Sequence, residues 1–97
     1  MFALRKPKEI DESKLRLALD RGDRAERLAR DEAFTEALKQ IEQVYMEAWR
    51  NADPFDVETR ERAWIATKLL DDLRGQILAT VREGVAARKQ IDRTLHP

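Results

Sequence analysis

The chain has 97 residues, room for a single domain, and it contains no cysteine, which excludes disulfides and thiolate chemistry. Its 19 basic and 19 acidic side chains cancel, and 39% of the residues are charged, so no overall charge marks it for nucleic acid or an anionic surface. A core this small leaves a thin stability margin, and with disulfides excluded the usual remaining support is a partner chain.

Residues 1–10, MFALRKPKEI, predict an extended basic arm. Pro7 disfavours helix at Lys6, and Arg5, Lys6 and Lys8 stand against Glu9 for a net of +2. The stretch is too polar for a signal peptide, and no run of about 18 apolar residues follows. A cytoplasmic protein without a membrane partner is expected.

Short helices are expected over residues 11–30. The first opens at Asp11, Glu12 or Ser13, carries Leu15, Leu17, Ala18 and Leu19, and stops at Gly22. DRAERLAR begins a second helix at Asp23. Arg21-Gly22-Asp23 thus reads as a helix stop and an N-cap, and not as the adhesion tripeptide it matches. Ala25, Leu28 and Ala29 are out of phase with the pattern that follows, which places a bend near Asp31, a candidate cap for the next helix.

The clearest pattern lies between Glu32 and Ala52. Phe34, Ala37, Leu38, Ile41, Val44, Tyr45, Ala48 and Ala52 follow helical spacing and form one stripe. In the corner NADPFDVE, Pro54 blocks continuation from Asp53, and Asp56 is placed to cap a helix starting at Val57. This long helix is expected to reach about Glu83. Ala63, Ala66, Leu70, Leu73, Ile77 and Val81 form its core stripe, and Trp64, Leu69 and Leu78 widen it. At about 1.5 Å per residue it measures roughly 40 Å against roughly 30 Å for its predecessor, so its far end overhangs and needs cover. Gly84 ends or kinks it. A further short helix and tail over 85–97 carry Val85, Ile91 and Leu95, and residues 82–97 hold Arg82, Arg88, Lys89 and Arg93 against Glu83 and Asp92, again +2.

The fold class is therefore all-α: a single domain built on an antiparallel helical hairpin over 32–83, with short flanking helices, forming a small helical bundle that self-associates. Folding about Pro54 brings Tyr45 beside Trp64 and Trp49 opposite Arg60, an aromatic pair and a cation–π pair. These groups either clamp the corner or form an exposed patch. Two helices cannot enclose so wide a stripe, which favours an interface made by Tyr45, Trp49, Arg60, Trp64 and Leu78. Arg5, Lys6, Lys8, Arg88, Lys89 and Arg93 could reach nucleic acid or a partner, although residues 11–81, which carry the balancing net of −4, disfavour nucleic acid.

Nothing in the sequence points to catalysis, a metal or a cofactor. Asp71 and Asp72 project about 100° apart on a helix and cannot converge on one ion, whereas Asp71 reaches Arg74 one turn on. His96, the only histidine, is next to the last residue. No phosphate-binding loop, dinucleotide fingerprint, nucleophile elbow or paired-cysteine motif occurs.

DRAERLARDEAF, YMEAWRNADPFD, RERAW, Leu73-Arg74 and Glu83-Gly84 together resemble a group of short helical proteins encoded by tailed bacteriophages and prophages. The resemblance covers residues 23–84. It implies a phage context, helical architecture and no assigned catalytic activity, in the cytoplasm of the infected bacterial cell or in the virion. The expected function is a non-enzymatic structural or assembly role through contact with its own copies and with other phage or host proteins. Two alternatives remain open: an anti-defence oligomer that holds a small nucleotide or host factor between subunits, and a small DNA-packaging or regulatory nucleic-acid-binding protein.

Overall fold

The structure, a computed structural model, describes residues 11–95. They form three helices, α1 (Glu12–Arg30), α2 (Glu32–Asn51) and α3 (Val57–Leu95), and no strand occurs among the described residues.

Local chemistry sets the starts. Asp11 accepts a hydrogen bond from the Lys14 backbone N–H at 3.2 Å and caps α1. Glu12 in the first turn and Arg27 and Arg30 in the last complement the helix dipole. Glu12–Arg16, Asp20–Arg24 and Glu26–Arg30 pair one turn apart at 2.8, 3.3 and 2.8 Å on the exposed surface, each contributing a few tenths of a kcal/mol. Asp31 alone separates α1 from α2. Its backbone is extended (φ −68°, ψ 118°), and its carboxylate accepts from the Phe34 N–H at 2.8 Å, capping α2 as expected.

Two expectations are corrected. Gly22 does not stop a helix: α1 runs through it, so Arg21-Gly22-Asp23 is mid-helix and the two short helices are one of 19 residues. Gly84 neither ends nor kinks α3, which continues for 39 residues to Leu95. Both glycines are buried, against each other. A Cβ built on Gly22 would lie 2.6 Å from the Gly84 Cα and 3.2 Å from the Thr80 carbonyl oxygen. One on Gly84 would lie 2.7 Å from the Gly22 Cα. Glycine in a helix interior costs about 1 kcal/mol relative to alanine. Here it lets two backbones touch, and the packing gained offsets that cost.

Both α1 and α2 run antiparallel to α3. Gly22 packs on Gly84, two turns along Ala29 shares a cleft with Ile77 and Leu78, and farther along Glu42 pairs with Arg74 and Trp49 with Arg60. Thus α1 lies along the C-terminal half of α3 and α2 along its N-terminal half, while α1 and α2 scarcely touch. The overhang predicted for the long helix is real, and α1 covers it. The described residues form a long hairpin with one arm broken at Asp31.

The outcome is elongated, where a small bundle was expected. The chain extends over 67 × 37 × 16 Å with a radius of gyration of 20.7 Å, against about 12–13 Å for a compact chain of its length. The buried apolar core is a single file at the seam: Leu38, Ala63, Leu70, Ala87 and Ile91. No third layer of described helix covers either broad side.

Candidate interaction surface

The corner is built by two aspartates. Asp53 accepts from the Phe55 N–H at 2.8 Å, and its carbonyl accepts from the Asp56 N–H at 2.9 Å, tightening the turn at Pro54. Asp56 caps α3, accepting from the Thr59 N–H at 3.1 Å and the Thr59 hydroxyl at 2.6 Å. The hydroxyl bond, then the backbone bond and the nearby Arg62 charge, hold the Asp56 carboxyl below its ordinary value of 3.8. Because the folded value is depressed, this cap stabilises α3 fully above the unfolded value and is lost as pH falls through the folded one. Denaturation midpoints of wild type and Asp56→Asn should therefore differ by a constant amount above about pH 5 and converge in stronger acid. Midpoints that keep their separation in strong acid would exclude the carboxylate as the source.

The corner also carries the aromatic patch. The Arg60 guanidinium lies 5.4 Å from the Trp49 ring centre, and it reaches back toward the Pro54 carbonyl at 3.4 Å. The predicted Trp49–Arg60 pairing is present. The cation over Trp64, however, is Lys68 from the same helix, at 5.4 Å. The cleft beside Trp64 is lined by Met46, Trp49, Arg50, Ala63 and Thr67, without the Tyr45 expected there. Trp49 and Trp64 remain 49% and 57% exposed, so the two indoles frame an open surface.

In an antiparallel pair, residues rotated in the same sense from the seam lie on the same side. The α2–α3 half of the molecule consequently has two unlike broad faces. The aromatic face carries Met46, Trp49, Trp64 and Leu78, interrupted by charge. On it Arg74 donates to Glu42 at 2.6 Å and stands 3.8 Å from Asp71. The opposite, aliphatic face carries Ile41 and Val44 from α2 and Ile65, Leu69 and Leu73 from α3. Val44 and Leu69 are 63% and 62% exposed, whereas Leu70, the neighbour of Leu69 in the chain, is 9% exposed.

Of the predicted interface residues, Tyr45, Trp49, Trp64 and Leu78 are exposed and Arg60 is partly buried beneath Trp49. Leu78 lies apart from the corner, in a shallow cleft with Ala29, Phe34, Thr35, Leu38 and Arg74. Arg88, Lys89 and Arg93 are exposed on the last turns of α3. Arg5, Lys6, Lys8 and His96 lie outside the described residues. The sequence reading missed Ile65, and it assigned Ile41, Val44 and Leu73 to the core. It also missed the Glu42–Arg74 pair, for which only the half-buried position of Glu42 between Leu38 and Tyr45 offers a sign.

Among the described residues no group of three or more carboxylate or histidine side chains is placed to hold a metal ion, and no helix is long and apolar enough to cross a membrane. The clefts are open and shallow, lined by long side chains with no convergent acid–base pair. Comparison of the chain with protein-family models, with curated proteins and with solved structures gives no match.

Proposed function

We propose that this chain is a non-enzymatic phage structural or assembly protein that acts through protein–protein contact and self-association. The observation that carries the reading is the area of apolar surface the protomer leaves uncovered. A compact protein of 11.3 kDa exposes about 5,700 Å². This chain exposes 8368 Å². If residues 1–10 and 96–97 were as exposed as an unfolded chain, at about 1.45 Å² per dalton, an excess of roughly 1,200 Å² would still remain. A standard interface takes about 800 Å² from each partner. Large apolar side chains are part of that surface: Val44, Trp49, Trp64 and Leu69 are 63%, 49%, 57% and 62% exposed.

The phage context is supported by the resemblance of residues 23–84 to short phage-encoded helical proteins. The assembly role is supported by the shape, since a thin rod with two greasy sides can be packed from both.

Light scattering over a concentration series tests the central part. Masses that are multiples of 11.3 kDa are expected, with dissociation only on dilution. A mass of one chain throughout would remove self-association from the reading. Mass spectrometry of purified virions then separates a virion component from an assembly factor left behind in the cell.

A further inference from the structure

We infer that the aliphatic face, centred on Val44 and Leu69, is where a second copy of this chain docks, two hairpins pairing face to face into a four-helix layer while the tryptophan face stays open for a different protein. The inference rests on the self-association proposed above and specifies which face makes it.

Charge separates the two faces. On the aliphatic face, α2 presents no charged residue between Ala37 and Ala48 on the side that carries Ile41 and Val44. On the α3 side Glu58 and Arg62, at the corner end, pair with each other, and Asp72, one turn on from Leu69, stands at the outer edge. A surface of this kind has nothing with which to select an unlike partner by charge. It matches another mainly aliphatic surface, and the one always present at equal concentration is its own. A two-fold pairing makes such a face self-complementary, because each copy offers the same patch.

The relief of the face also suits a helical layer. Ala37, Ala48 and Ala66 alternate with Ile41, Val44 and Leu69, leaving hollows beside knobs, which is how helix pairs interdigitate at shallow crossing angles. The face is well exposed in the protomer: Ile41, Val44, Ile65, Leu69 and Leu73 are 45%, 63%, 51%, 62% and 43% exposed. The tryptophan face differs on each count. Arg50, Arg60, Lys68 and the Glu42–Arg74 pair break its apolar area, and exposed Trp, Met and Arg are the residues enriched where unlike proteins meet.

Single-cysteine cross-linking of the full chain tests this directly, because the chain has no cysteine of its own. Under mild oxidation Leu69→Cys should form disulfide-linked dimers readily, and Trp64→Cys should link at least about tenfold more slowly, its thiol being on the far side of the layer. As a second measurement, Leu69→Glu should weaken association by about 30-fold or more while circular dichroism shows unchanged helix, and Trp64→Ala should leave the mass as in wild type.

Preferential linking at Trp64→Cys, equal linking at both sites, or no linking at either together with unweakened association of Leu69→Glu would each overturn the choice of face and leave self-association standing. A wild type that stays monomeric in light scattering would instead overturn the reading on which this one rests. If Leu69→Glu remains fully associated, another occupant holds the aliphatic face and the inference fails.

Discussion

Gly22→Ala should destabilise the protein by roughly 1–3 kcal/mol, although the same exchange in an open helix is favourable. The added methyl would stand 2.6 Å from the Gly84 Cα, where carbon atoms need about 3.5–4.0 Å. Backbone lies on both sides of the contact, so no flexible side chain can swing away. The helices must separate by about 1 Å, and the packing of Ala87 and Ile91 under α1 loosens with them. Gly84→Ala should act alike, at 2.7 Å from the Gly22 Cα and 3.3 Å from the Ala18 carbonyl oxygen. The double variant should depart from additivity, since the two new methyls would meet each other. Gly75 supplies the control: a Cβ there finds nothing within 4 Å, so Gly75→Ala should stabilise by about 0.5–1 kcal/mol. Urea denaturation reads all four variants. A rise in midpoint for Gly22→Ala equal to that of Gly75→Ala would mean that the two backbones do not touch at this crossing.

Leu70→Ala and Leu69→Ala should separate the core from the proposed interface, although the two residues are adjacent. Leu70 is at the seam between α2 and α3, 9% exposed, and its truncation should cost about 2–4 kcal/mol at every protein concentration. Leu69 is 62% exposed in the protomer, so its loss removes little from the hairpin itself. Its effect should enter through association, as a lowered melting temperature at high concentration that fades on dilution. The measurement is thermal unfolding of each variant against wild type across a concentration series. A concentration-independent loss for Leu69→Ala comparable to that of Leu70→Ala would place Leu69 in a core that the hairpin does not show.

The same contrast explains why the candidate surface was only partly legible. A helical stripe marks residues that leave water, and it does not say whether a neighbouring helix or another molecule covers them. Ile41, Val44 and Leu73 carry the same periodic signature as Leu38 and Leu70, so they read as core. The hairpin exposes them because α2 and α3 meet along one narrow line. The tryptophans were easier to place, since their proximity to the corner limits what the chain itself can lay over them. Gly22 illustrates a different limit. A glycine inside a helical pattern looks the same as a stop or as a crossing point, and the choice depends on the partner helix. Its neighbours did hold a sign: Ala18, Gly22, Ala25 and Ala29 put small residues along one side of α1, the side laid on α3.

What the sequence determined by itself was local: the all-helical class, the caps at Asp31 and Asp56, a first helix opening within Asp11 to Ser13, the corner at Pro54, and the meeting of Trp49 with Arg60 just inside it. Each depends on groups within a few residues of one another or tied by a short turn, so spacing alone fixes the geometry. Only the tertiary structure decided that α1 is one helix laid on the far half of α3, that Glu42 reaches Arg74, and that the molecule is a thin hairpin with two uncovered faces. Those outcomes depend on contacts between distant parts of the chain, where close approach of two glycine backbones decides which helices pair and which apolar side chains stay in water.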